Sequence, residues 1–178
     1  MKYKSKEDYD KKVSTAQKYH GLAREIRGRY LNSVAVLDTY LAEIITDYFC
    51  KKGQRKDLFF SEIATGQHLS LRNKKDILWK IMNIELKPYL KDYKDLNKKI
   101  DSILIFRNKL AHATIDVSEE ALSVDKVIGV GFVEYKDGKR VVHYFTKEES
   151  EYKQAELNTL LGDIKGIKTL LFGRFDFD

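Results

Sequence analysis

The stretch "ILIFRNKLAHA", from Ile103 to Ala113, places a polar triplet inside an apolar helical pattern. The apolar residues that recur there at helical spacing are Leu96, Ile100, Ile103, Leu104, Leu110 and Ala111. They predict one long helix from about Pro88 to His112. Arg107 falls on the same stripe, so the spacing predicts that its side chain points toward the protein core. Because an unpaired buried charge is costly, we expect Arg107 to have a partner or to line a wet cleft.

The first amphipathic segment offers a partner for this arginine. Its apolar residues also recur at helical spacing: Leu31, Val34, Leu37, Leu41, Ile44, Ile45 and Tyr48. Asp38 interrupts this stripe between Val34 and Leu41. We therefore expect Asp38 to form a buried ion pair with Arg107. A purely structural pair would explain both residues without any function.

Two further polar residues accompany Arg107 near the end of the predicted helix. Asn108 and His112 lie four residues apart and share a face that adjoins the apolar stripe. Arg107 and His112 are about 140° apart in a regular helix, so both can reach a cleft at the edge of that stripe. The alternative for His112 is a histidine that interacts only with the negative end of the helix dipole.

The N-terminal third of the chain predicts helix from about Glu7 to Lys52. Gly21 and Gly28 are the weak points, at which two helices would meet or one helix would bend. Ser70 is the predicted N-cap of a following helix. Pro88 suits the first turn of the long helix that carries Arg107.

The pattern changes to strands after residue 125. The stretch "KVIGVGFVEYKDGKRVVHYF" predicts two strands around the turn at Asp137 and Gly138. Thr146 and Glu149 form a capping box that opens the last helix. The apolar face predicted for that helix comprises Tyr152, Leu157, Leu160, Leu161, Ile164 and Ile167. The predicted fold is all-α: one domain over residues 1–178, with a helical extension at 1–29 and a β-hairpin insertion at 127–145.

Composition excludes several classes of protein. The chain has 178 residues, of which 43% are hydrophobic, and a single cysteine, Cys50, so no intramolecular disulfide can form. The start "MKYKSKEDYD" has no apolar signal region, and no apolar run approaches the roughly 18 residues that span a bilayer. We expect a cytoplasmic protein without membrane contact. No Cys/His zinc spacing is present, so neither a metal nor a cofactor is expected.

The charge distribution is uneven. The chain carries a net charge of +6, and residues 51–99 hold 13 Lys and Arg against 6 Asp and Glu. A basic segment of this kind fits a polyanionic partner such as RNA. A solvated, lysine-rich surface is the alternative.

The residues Arg107 to His112 read R-N-K-L-A-H, which resembles the R-x4-6-H motif of the HEPN superfamily. The helical layout extends the resemblance over roughly residues 30–173. HEPN domains are all-helical bundles, and many are metal-independent endoribonucleases. The resemblance therefore implies an HEPN-like helical bundle, with the hairpin added to a minimal four-helix unit, and it implies catalytic roles for Arg107, Asn108 and His112. Asp38, the partner expected for Arg107 from the apolar stripe, would support the site by holding the guanidinium in place.

The chemistry of these residue types suits RNA cleavage without a metal. The ribose 2′-OH can attack the neighbouring phosphate if a base takes its proton and a cation stabilises the phosphate charge. Histidine titrates near neutrality, and arginine presents a planar fork that matches two phosphate oxygens. Asparagine can orient either group. The expected products are a 2′,3′-cyclic phosphate and a 5′-hydroxyl.

The resemblance also implies partners. One histidine does not easily act as both base and acid in one turnover. In the HEPN nucleases that this chain resembles, two protomers pack about a two-fold axis, and both motifs line one cleft. The chain is thus expected to form a homodimer with a composite site. By the same resemblance it would act as a toxin or phage-defence effector. An antitoxin or another regulatory protein is then a possible partner. Thr114 stands where some HEPN toxins carry a tyrosine that their antitoxin modifies. The alternative function is a non-catalytic module that dimerises and binds RNA or protein.

Overall fold

A computed structural model describes residues 5–66, 68–118, 121 and 129–173, with only the backbone given for Asp8. Within these residues the chain forms five α-helices and one three-stranded antiparallel sheet, so the predicted mainly helical fold is confirmed. The described residues divide into two compact units. The first contains the chain up to Leu31 and Ile105–Gln154, and the second contains Asn32–Leu104 and the chain from Ala155 onward.

The α-helices are α1 (Lys6–Phe49), α2 (Gln54–Leu58), α3 (Leu71–Glu85), α4 (Leu96–His112) and α5 (Lys147–Phe172). A π-helical segment, Phe59–Ala64, follows α2, and a 3-10 turn, Lys87–Tyr89, follows α3. The strands are β1 (Thr114–Ile115), β2 (Gly129–Lys136) and β3 (Lys139–Thr146), in the order β1-β2-β3.

Helix α1 runs without interruption through both predicted weak points. Gly21 and Gly28 are exposed, and a Cβ added at either position would meet no atom within 4 Å. A glycine costs a helix only about 1 kcal/mol relative to alanine. That cost is small beside the burial of a whole helix face. The predicted helical region is therefore confirmed as one helix, and the alternative of two separate helices is excluded. The region predicted as an N-terminal extension, residues 1–29, contributes Tyr19, Ala23 and Ile26 to the core of the first unit.

The sheet of the first unit contains the predicted hairpin and one further strand. Asp137 and Gly138 have φ angles of 51° and 73°, as a tight hairpin turn requires, and Lys136 pairs with Lys139 across it. The third strand, β1, pairs antiparallel with β2 and places Thr114 opposite Val133. With only two residues, β1 is too short to show an alternating pattern in the sequence. Residues 127 and 128 of the predicted hairpin lie outside the described residues.

An aromatic cluster forms the core of the first unit. Tyr30 of α1 and Phe106 of α4 meet edge to face, with 4.6 Å between ring centroids. Phe106 makes a similar contact with Phe145 of β3 at 4.9 Å, and Phe145 lies 5.9 Å from Phe132 of β2. These rings join the last turns of α4 to the sheet, so this aromatic core sets the position of the Arg107 motif.

The second unit has an aliphatic core. Its fully buried residues include Leu37, Leu41, Ile44, Ile45, Leu78, Ile81, Met82, Ile100, Leu157, Leu160, Ile164 and Ile167. They confirm most of the apolar stripes predicted for the first and last helices. The sequence predicts Tyr152 on the buried face of the last helix. This prediction is wrong, because Tyr152 is 64% exposed and lies in the first unit.

Local capping signals in the sequence are confirmed. The Ser70 side chain accepts a hydrogen bond from the Asn73 amide and caps α3. The Thr146 amide donates to Glu149 at 2.9 Å, and the Glu149 amide donates to the Thr146 hydroxyl at 3.1 Å. Pro88 does not open a long helix as predicted. It lies in the 3-10 turn, and α4 begins only at Leu96.

None of the helices in the described part of the chain combines the length and apolarity that a membrane span requires.

Candidate functional site

Arg107 is exposed on α4, so its predicted core position is wrong. The buried residues of α4 in the first unit are Phe106 and Leu110, and Ala113 follows directly after the helix. In a regular helix Phe106 and Arg107 lie on opposite sides of the line from Ile103 to Leu110, roughly 60° and 40° from Ile103. The aromatic cluster buries the side that carries Phe106, so Arg107 faces outward.

The guanidinium of Arg107 contacts its neighbour in the motif. Its Nη1 donates a hydrogen bond to Oδ1 of Asn108 at 3.0 Å, and Asn108 is exposed as well. This hydrogen bond uses the amide oxygen of Asn108 as the acceptor, so the NH₂ group of the same side chain can still donate to a ligand. The pair therefore presents a guanidinium and an amide donor side by side on the protein surface.

Asp38 does not serve as the predicted buried partner of Arg107. It belongs to the second unit, where its carboxylate accepts a hydrogen bond from Nζ of Lys74 at 2.6 Å. The prediction rested on a buried guanidinium that needs a carboxylate. Since Arg107 is exposed, that need does not arise, and Asp38 instead compensates the charge of Lys74.

His112 is the last residue of α4, and its side chain is exposed. Within the described part of the chain, its imidazole has no hydrogen bond to another residue. Arg107, Asn108 and His112 thus share the last two turns of one helix, as predicted. They lie on its outer surface rather than at the edge of a buried stripe.

Arg27 of α1, which the sequence did not predict as a functional residue, stabilises the end of this helix. Its Nη2 donates to the carbonyl oxygen of Ala113 at 2.6 Å, directly after His112. Its guanidinium also lies 5.2 Å from the ring centroid of Phe132. A cation at the C-terminal carbonyls of a helix stabilises that end. The only sequence signal was the position of Arg27 beside Ile26, on the buried side of α1.

The motif surface is positively charged. The last turn of α4 contains Lys109 and His112, and Arg107 precedes them. The next acidic residue along the chain, Asp116, is only 8% exposed. Its carboxylate accepts from the Ser118 amide at 3.0 Å and from Arg140 at 2.6 Å. It is therefore already engaged elsewhere.

The environment of Asp116 keeps it ionised. Burial alone would raise the pKa of the Asp116 carboxyl, but the hydrogen bonds from Ser118 and Arg140 outweigh burial and hold that pKa below its ordinary value. Asp116 thus organises the loop after β1 and the start of β3. We assign it no part in the motif surface.

No group of three or more His, Cys, Asp or Glu side chains suited to a metal ion occurs within residues 5–66, 68–118, 121 and 129–173.

Comparisons with protein-family models, with curated proteins and with solved structures find no match to this chain. The resemblance to HEPN proteins therefore rests on the Arg107–His112 motif and the helical layout alone.

Proposed function

We propose that this protein is a metal-independent endoribonuclease of the HEPN type, built on an HEPN-like helical domain. The observation that carries the proposal is the exposed Arg107–Asn108 pair, followed within the next turn by exposed His112 at the end of α4. Arg107 lies on the outer face of α4, away from the buried side that carries Phe106, and has no role in the core. Its charge is therefore available to a polyanion such as RNA.

The three side chains divide the chemistry of phosphodiester cleavage among them. Arg107 supplies a permanent positive charge whose fork spans two phosphate oxygens. The amide of Asn108 already orients that guanidinium and has donors left for the phosphate. His112 is the proton carrier, taking the proton of the attacking ribose 2′-OH or giving one to the leaving 5′-oxygen.

A second copy would supply the second proton carrier. A single chain contributes one motif histidine, and in-line cleavage needs a base and an acid on opposite sides of the phosphate. We propose a two-fold homodimer in which both His112 side chains face one substrate. By resemblance, the setting would be a cytoplasmic toxin or phage-defence effector, held in check by an antitoxin or another regulatory protein.

The decisive experiment is RNA cleavage in the presence of EDTA. Purified protein is expected to cut single-stranded RNA and leave 2′,3′-cyclic phosphate ends. His112→Ala should lower the rate by about 10²–10⁴-fold, the usual loss when a positioned acid/base group is removed. His68→Ala is the matched control, because His68 is an exposed histidine outside the motif, and its rate should match that of the wild type.

One observation favours the rival function, a non-catalytic module that binds RNA or protein. In the described residues nothing orients the imidazole of His112, whereas a catalytic histidine is commonly held by a neighbouring acceptor. If the wild type binds RNA but cuts none across varied substrates, the nuclease proposal fails and the binding module takes its place. Cutting that survives His112→Ala would also refute the proposed roles.

A further inference from the structure

Within the part of the chain that the structure describes, strand β3 forms an open edge of the sheet in the first unit. It is the outer strand of the order β1-β2-β3 and runs for eight residues, from Lys139 to Thr146. Two of its apolar side chains are substantially exposed: Val142 at 39% and Tyr144 at 49%. A long exposed edge is a template for pairing with another strand.

The backbone groups of Tyr144 point toward this open edge. Its partner Gly131 accepts a hydrogen bond from the Asp116 amide at 2.8 Å and donates its own N–H to the hydroxyl of Tyr19. Both backbone groups of Gly131 are therefore used on the side away from β3. In an antiparallel pair, opposite residues either exchange both hydrogen bonds or turn both away, so Tyr144 directs its N–H and C=O outward.

The same alternation applies to every second residue of β3. Val142 pairs with Val133, and Arg140 pairs with Tyr135, so these residues also turn their backbone groups outward. Thr146 follows the same rule, but its amide already donates to the carboxylate of Glu149 at 2.9 Å. In the described part of the chain, the backbone groups of Arg140, Val142 and Tyr144 have no partner on the open side.

Opposite charges flank the two ends of this edge. Lys139 lies at its start, and Glu148 lies just beyond its end, in the first turn of α5. Both side chains are exposed, and neither has an ion pair within the described residues. When two identical strands pair antiparallel, the basic end of each lies against the acidic end of the other. The edge is therefore complementary in charge to itself.

We propose that a second copy of this chain docks on β3 by antiparallel strand pairing centred on Val142. This register places Val142 opposite Val142 of the second copy and Arg140 opposite Tyr144. All three outward-facing residues thus gain partners, and one continuous sheet crosses the two copies. In this register Lys139 of each copy lies opposite Phe145 of the other, three residues before Glu148, so the basic start of each edge approaches the acidic end of its partner. This interface is independent of the proposed RNA cleavage.

Hydrogen exchange of single amides tests the pairing directly. In the paired state the amides of Val142 and Tyr144 should exchange at least about tenfold more slowly than in dilute, unpaired protein. The control is His143, which faces β2 and should be protected at both concentrations. If the Val142 and Tyr144 amides stay unprotected at concentrations where the protein is dimeric, the edge is not the interface. A protein that stays monomeric at high micromolar concentration refutes the proposal outright.

Charge reversal separates this interface from any other route to a dimer. Glu148→Lys and Lys139→Glu should each weaken dimerisation on the order of tenfold, because each change affects both symmetry-related contacts. The double variant should restore the wild-type affinity to within about threefold. Since Glu148→Lys also places a cation in the first turn of α5, helix content is checked for each variant, and the rescue separates local unfolding from a lost contact.

The outcomes also separate this inference from the proposed function. A dimer whose affinity ignores all three charge variants pairs elsewhere, and the β3 proposal is then wrong while the RNA proposal stands. A dimer that responds to the charge variants but never cuts RNA supports the β3 interface and refutes the nuclease.

Discussion

Two cationic side chains on helices, one in each unit, differ in burial and in charge compensation. Lys74 of α3 is 1% exposed, and Asp38 neutralises it at 2.6 Å. Arg107 of α4 is exposed, and among the described residues its hydrogen-bond partner is the neutral side chain of Asn108. The apolar stripe in the sequence predicts Arg107 as the buried charge, and no pattern in the sequence predicts the burial of Lys74. The difference teaches that burial, rather than position in an apolar stripe, decides whether a charge serves the fold.

The physical cost explains the contrast. Moving an ammonium out of water costs several kcal/mol, which only a close carboxylate and good geometry offset. Lys74 has that carboxylate, so the pair belongs to the structure of the second unit. An exposed guanidinium keeps its hydration and contributes little to stability, which leaves Arg107 available to a ligand.

The largest effect is expected from breaking the buried pair. Asp38→Ala leaves the Lys74 ammonium buried without its counter-charge. The free energy of unfolding should therefore fall by about 3 kcal/mol. This value is the lower end of the usual range for buried pairs, because Asp38 is partly exposed. Urea unfolding measures it. Lys74→Met, which removes the buried charge itself, is the matched control and should cost less than about 1.5 kcal/mol. Equal losses in the two variants would contradict a structural ion pair.

A smaller effect is expected in the first unit, from the polar contact beneath the sheet. Tyr19→Phe removes the hydroxyl that accepts the Gly131 amide and leaves that buried donor without a partner. The expected loss of unfolding free energy is about 1–3 kcal/mol. Tyr152→Phe is the control, because Tyr152 is 64% exposed, and it should change little.

The same tyrosine predicts a dependence on pH. Burial raises the pKa of the Tyr19 phenol, so ionisation is harder in the folded state than in the unfolded state. Its contribution is therefore complete below the ordinary tyrosine pKa of about 10 and is lost as the pH rises through the raised value. The alkaline fall in stability should be shallower in Tyr19→Phe than in the wild type. Identical curves would contradict a buried phenol.

The smallest effect on stability is expected from the motif. Arg107→Ala, Asn108→Ala and His112→Ala replace exposed side chains, so each should change the free energy of unfolding by no more than about 0.5 kcal/mol. A loss near that of Asp38→Ala would mean that the motif holds the fold together. The comparison between the two cations would then fail.

Features with local causes could be predicted from the sequence. The Asp137–Gly138 turn, the Ser70 cap and the Thr146–Glu149 box each depend on residues within four positions of one another. Their chemistry is the same in any fold, so a short pattern is enough to identify them.

Features that depend on tertiary packing could not be predicted. The choice between Phe106 and Arg107 as the buried residue depends on which way α4 meets the aromatic cluster. The contact of Arg27 with the Ala113 carbonyl joins residues 86 positions apart, and no local pattern reveals it. The burial of the Lys74 charge likewise depends on Asp38, which lies on another helix.

We propose that Arg107 binds the phosphodiester of an RNA substrate, whereas Lys74 stabilises the fold. The most direct test measures RNA cleavage in EDTA and urea unfolding on the same preparation of Arg107→Lys. Lysine keeps the charge but loses the fork that spans two phosphate oxygens. We predict that cleavage falls by about 10²-fold or more while the free energy of unfolding stays within about 0.5 kcal/mol of the wild type. Cleavage at the wild-type rate, or a loss of stability that accounts for the loss of activity, would contradict the claim.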